Sequence, residues 1–200
     1  MINTIPIKER LIISLYDYTG NWPRPYIKAG YPVMLWDKKV EGDILTERAW
    51  DELMGYSSYI YGLIGAPPCT FFAGSGARWW PNISEEDLTE MIALVQIILI
   101  FKEQCPNLNF WVFENPVGRI EKLIPEIKPF RKLLFNPCDY GDPYTKKTIL
   151  WGEFNSKLQK NPVLPLYGSM MHLIPPGPKR QELRSATPLG FSQAFFNANR

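Results

Sequence analysis

Histidine and cysteine are scarce in this chain: His172 is the one histidine, and Cys69, Cys105 and Cys138 are the three cysteines among 200 residues. No CxxC pair and no Cys/His spacing occurs, so no zinc site is readable. An odd set of thiols speaks against a disulfide framework and for a reducing compartment. Charge of one sign is also in short supply. The net charge of +2 excludes a protein that coats nucleic acid by charge alone, though it tolerates a nucleic-acid partner. Long hydrophobic runs are missing too. The longest, Ile97 to Phe101 with apolar neighbours back to Met91, is broken by Gln96 and is too short to span a bilayer. The N-terminus has no signal-peptide pattern. Internal repeats and low-complexity tracts are lacking. These absences lead to the expectation of a cytoplasmic protein without metal or membrane partner, folded as a single domain over residues 1–200.

What is present in quantity is apolar surface and proline. Apolar residues make up 46% of the chain, enough for a core, and 19 prolines with seven tryptophans point to long ordered loops. Apolar runs at 11–16, 31–36, 59–64 and 109–113 read as strands, and 132–135 and 148–151 as two more. Between them lie a short helix opened by Pro23 and Pro25 and closed by Gly30, a helix from Thr46 to Met54, and a long apolar helix from Ser84 to Gln104 with a near capping box. A short helix over 117–123 and a terminal one over 188–199 complete the set, with 155–187 proline-broken and irregular. Alternating strands and helices predict an α/β fold with a Rossmann-like, doubly wound, mostly parallel sheet.

In such sheets ligands sit outside the carboxyl ends of the strands. Asp17, Asp37, Cys69 and Glu114 fall at expected strand ends, and so does Asp43 if it closes a further strand that makes the one before Cys69 the fourth; a turn residue is its other reading. Cys69 closes Gly65-Ala66-Pro67-Pro68-Cys69-Thr70, where two prolines restrict the backbone just before the thiol. That suits a nucleophile; a small packed hydrophobe is the other reading, and the hexapeptide alone supports both. The loop from Thr70 to Asn82 is long enough to be functional.

A strand-end Pro-Pro-Cys, a later strand-end Glu114-Asn115-Pro116 and a Rossmann-like start together resemble the DNA cytosine-5 methyltransferases, in particular a small, phage-like member. The resemblance runs over most of the chain in order. Ser14 to Gly20 is similar to the family's first motif, Asp37 to its ribose-binding acid and Asp43-Ile44 to its adenine contact. Gly65 to Cys69 is similar to the nucleophile motif, and Phe113-Glu114-Asn115 to the Glu-Asn-Val motif. Pro143 to Thr148 falls where the family carries Gln-x-Arg-x-Arg, and Arg184 to Asn199 looks like the closing helix that returns to the cofactor pocket.

The resemblance implies a fold of the S-adenosylmethionine-dependent methyltransferase type and S-adenosyl-L-methionine as cofactor. It implies Cys69, Glu114 and Asn115 as catalytic residues. Tyr16, Asp17, Thr19, Gly20, Asp37, Asp43, Ile44, Pro67 and Ser185 become candidates for the cofactor. Arg78, Trp79, Lys146, Lys147 and Thr148 become candidates for DNA. The family's target-recognition region is reduced here to a segment of about residues 152–183, so a partner subunit could supply the reader. Modification of RNA or of a free cytosine nucleotide, and a catalytically silent DNA-binding relative, are the alternative readings.

Overall fold

The computed structural model describes residues 5–169 and 173–200. Six strands form one sheet: β1 (Leu11–Leu15), β2 (Val33–Trp36), β3 (Ile60–Gly65), β4 (Phe110–Pro116), β5 (Arg131–Phe135) and β6 (Thr148–Glu153). Their order is β2-β1-β3-β4-β6-β5. β1 pairs in parallel with β2 and β3, and β3 with β4, whereas β6 runs antiparallel to both β4 and β5. The α/β fold is therefore as expected, but the sheet is mixed.

Each strand's side chains alternate between two cores. Ile13, Leu15, Leu63, Trp111, Phe113, Ile149 and Trp151 face one side, where they meet α2 (Glu47–Met54), α3 (Glu85–Gln104) and α4 (Ile120–Leu123). Ile12, Ile64, Phe110, Val112 and Leu150 face the other, against α1 (Arg24–Lys28) and α6 (Leu189–Ala198). β1 is buried at every position, and its sequence is apolar except for the buried Ser14. On the second face Phe191 stacks on Phe135 at 4.2 Å, and Trp22 meets Phe191 and Phe195 edge-on. Aromatic edges and faces thus join the first loop to the last helix.

Several elements depart from the sequence-based reading. No strand forms around Asp43, so the strand before Cys69 is the third. Turn chemistry wins there: Val40 N and Glu41 N donate to Asp37 O, Gly42 takes φ +98°, and Thr46 caps α2. The loop after Cys69 carries 3-10 turns over Gly74–Asn82. The terminal segment is two helices: α5 (Arg180–Ser185) lies within the stretch expected to be irregular, and a break at Ala186-Thr187-Pro188 separates it from α6. α3 begins at Ser84, whose hydroxyl accepts from Asp87 N, but Ile100 is exposed, so the helix is not buried all round.

Candidate active site

The strand order reverses at β1, which has β2 on one side and β3 on the other. Crevices at such switch points hold ligands because the loops on either side diverge. The loop after β1 is shaped by Asp17. Its Oδ1 accepts from Thr19 Oγ1 at 2.7 Å and Gly20 N at 3.1 Å, and its Oδ2 from Trp22 N at 3.0 Å. Gly20 sits at φ +62°, where a side chain would be strained. Tyr16, just past β1, also adopts a left-handed φ of 64°, held by its phenol donating to Leu94 O at 2.9 Å.

β3 and β4 run side by side with Gly65 opposite Phe113, so residues 66–69 and Glu114-Asn115 emerge at the same edge of the sheet. Asn115 is fully buried, and its Nδ2 donates to Pro67 O at 3.0 Å. The glutamate strand and the cysteine loop are therefore tied directly, and Pro67 is part of the tie. Glu114 is buried, and among the described residues its Oε2 has no hydrogen-bond partner. Burial pushes its carboxyl up from the ordinary range and Asp17 adds to this, while Lys146 opposes it. Burial likewise raises the half-buried Cys69 thiol, opposed by the cations of Lys146 and Arg184 and reinforced by Glu114. One lysine thus acts on both groups.

Lys146 is half-buried. Its Nζ donates to Arg184 O at 3.0 Å, which ties the turn before β6 to α5. Thr148 is buried, and its hydroxyl donates to Lys146 O at 2.8 Å. Lys147 is exposed, as are Arg78 and Trp79, whose guanidinium and ring lie 4.9 Å apart.

The cofactor candidates divide. A cavity of about 490 Å³ lies between the loop after β1 and α5, lined by Tyr18, Thr19, Asn21, Glu182, Leu183 and Ala186. Of the expected residues only Thr19 lines it. Asp17 spends its carboxylate on its own loop, and Ile44 lies in the core with Trp36 and Ala49. Asp43 accepts from Leu45 N and pairs with Lys38 at 2.8 Å, which holds its carboxyl below the usual range. Ser185 donates to Glu182 O within α5. Asp37, at the end of β2, is half-buried and accepts from Lys39 N through Oδ1. Nothing in a linear reading places Tyr18 and Asn21 against Glu182, some 160 residues on. The one signal was the expected return of the C-terminal segment to the cofactor pocket.

Among the described residues, no group of three or more His, Cys, Asp and Glu could hold a metal ion, and no helix is long and apolar enough to cross a membrane. His172 lies outside the described residues.

Among solved structures, the chain is similar to the Entamoeba histolytica methyltransferase EhMeth, with 13% identity and a TM-score of 0.47 over 84% of this chain and 60% of that one. The chain thus spans less than two thirds of that protein's length. No protein-family model and no curated protein sequence matches it.

Proposed function

We propose that this chain is an S-adenosylmethionine-dependent methyltransferase that modifies carbon 5 of cytosine in DNA. The observation that carries the reading is the hydrogen bond from Asn115 to Pro67 O, which joins a half-buried cysteine loop to a buried glutamate with an open carboxyl oxygen. Cytosine C5 is a poor nucleophile. A thiolate that adds to C6 makes C5 electron-rich, and Cys69 is in a position to do so. The proton left on a buried Glu114 would be donated to the pyrimidine N3, which favours that addition. Burial and Asp17 favour the proton on Glu114, whereas Lys146 favours the ionised form of both Glu114 and Cys69. Asn115 keeps the two loops in register.

S-Adenosylmethionine, when bound, supplies the electrophilic methyl group. The residues present fit it. The cavity beside the switch point offers Thr19, Asn21 and Glu182 as polar groups and Tyr18 as an aromatic wall. Asp37 keeps a carboxylate oxygen available at the end of β2 for the ribose hydroxyls. A cytosine inside a duplex would have to be flipped out to reach Cys69. Exposed Arg78, Trp79 and Lys147 are suited to phosphate and base contacts at the rim.

The test is DNA carrying 5-fluorocytosine, incubated with the protein and S-adenosylmethionine. Fluorine cannot leave C5 as a proton does, so a stable protein–DNA adduct is expected. Cys69→Ala should abolish it. No adduct with the unaltered chain, or an adduct that survives this substitution, sinks the assignment.

A further inference from the structure

The loop that carries Cys69 is held on both sides by one short segment of chain. Upstream of the thiol, Asn115 Nδ2 donates to Pro67 O at 3.0 Å. Downstream, Arg119 Nε donates to Phe71 O at 2.9 Å and Arg119 N donates to Phe72 O at 2.8 Å. Gly74 N donates to Val117 O at 2.9 Å, and Ala73 and Gly118 form an isolated antiparallel bridge. The approach is so close that any Cβ at position 118 would lie 1.8 Å from Phe72 O, so only glycine fits. The clamp reaches the cysteine through the backbone, because Phe72 N and Ala73 N both donate to Cys69 O, at 3.0 and 2.8 Å. The Arg119 guanidinium is itself fixed by stacking 4.5 Å from the centre of the Trp80 ring.

We propose that Arg119 is a positioning residue for Cys69. It sets the thiol against Glu114 by holding the Phe71-Phe72-Ala73 turn whose amides fix the Cys69 carbonyl. Residues 114–119 would then do two jobs, supplying the acid and aligning the nucleophile. The role rests on the reading of Cys69 as nucleophile, but the clamp can be tested without turnover.

The test is alkylation of the folded full-length protein by iodoacetamide, followed at each cysteine by peptide mass spectrometry, with Cys138 as internal reference. Loss of one charge-assisted hydrogen bond that restrains a half-buried loop corresponds to a rate increase on the order of tenfold. Arg119→Ala should raise the ratio of Cys69 to Cys138 alkylation by about that factor. Arg119→Lys, which keeps a cationic donor, should restore part of the restraint. A role confined to general stability would move both cysteines together and leave the ratio alone. An unchanged ratio in a folded Arg119→Ala variant overturns the proposal. If that variant does not fold, Trp80→Leu replaces it: this keeps the hydrogen bonds but removes the stacked ring, and a smaller rise in the ratio is expected, with no rise counting against the clamp. A raised ratio in a protein that forms no fluorocytosine adduct would leave the clamp standing and remove the methyltransferase reading. An adduct with an unchanged ratio would do the reverse.

Discussion

Glu114 combines two features that rarely occur together without a function: it is buried, and one of its oxygens has no partner among the described residues. An ionised carboxylate in such a place is costly, which is why its pKa moves up. The consequence for stability has a definite sign. Above the ordinary carboxyl value of 4.5 the folded chain holds this proton more tightly than the unfolded chain does, so stability falls as pH rises through the folded pKa. Glu114→Gln removes the titration while nearly preserving the shape. The variant should therefore be more stable than the unaltered protein near neutral pH, and the gap should close as pH falls toward 4.5. Thermal melts at a series of pH values measure this, and a constant difference at every pH would contradict it. A gain in stability on removal of a working group is the usual trade between stability and activity. Lys146 belongs to the same account. The resemblance puts it in the segment where the family carries arginines, but nothing local in the sequence shows which way a lysine in a turn will point. Its direction is set by Arg184 O, a partner from a distant helix.

At the scale of elements, the loop between β1 and α1 shows how a strand-end acid acts through its own backbone. Asp17 is buried and accepts from Thr19, Gly20 and Trp22, so it organises the loop that walls the cavity. Asp17→Ala would strip the partner from a buried Trp22 N, whereas Gly20 N keeps its bond to the backbone carbonyl of residue 17. An unsatisfied buried donor costs roughly 1–3 kcal/mol. The variant is expected to show a lower urea midpoint by that free energy, whether or not cofactor is added. An unchanged midpoint would mean the loop holds its shape without the carboxylate. The strands themselves were legible, because runs buried on both faces, such as Leu11–Leu15, leave no polar alternation to misread. The direction of β6 was not, since composition does not distinguish a strand entering the sheet in reverse. The strand expected at Asp43 failed because a turn closed by Gly42 and the Thr46 cap competes with pairing over so few residues. The left-handed Tyr16 was likewise invisible, as a tyrosine gives no local signal for positive φ. The juxtaposition of Cys69 with Glu114-Asn115 was legible, because both lie just past strands that a parallel sheet brings to one edge.

For the whole molecule, the question is how a site of this kind would choose its cytosine. Reading several base pairs takes several side chains at base edges, each worth roughly 1–3 kcal/mol of discrimination. The stretch from Gly152 to Leu183 holds Pro162, Pro165, Pro175, Pro176 and Pro178. Its described part from Asn161 to Gly168 lies along the loop after β5: Asn161 N donates to Asp139 O, Val163 N to Cys138 O and Tyr167 N to Pro143 O, and Gly168 O accepts from Thr145 N. It is anchored by backbone hydrogen bonds, with Leu164 and Leu166 about three quarters exposed at 76% and 75%. An arm held in this way presents few side chains, next to the turn that carries Lys146 and Lys147. Room for one or two base contacts corresponds to a dinucleotide, with flanking preference left to DNA deformability. The expectation is that the purified protein, acting alone on a plasmid, modifies many cytosines sharing a context of at most two or three bases, read out by bisulfite sequencing. Confinement to one site of four or more base pairs would overturn it. Relaxed modification by the chain alone that becomes confined on addition of a second protein would identify that protein as the missing reader. The arm's contribution is separable in the same assay: Leu164→Ser with Leu166→Ser should change which cytosines are modified while Cys69 still forms its adduct with 5-fluorocytosine DNA, because these side chains lie outside the Cys69–Asn115 tie.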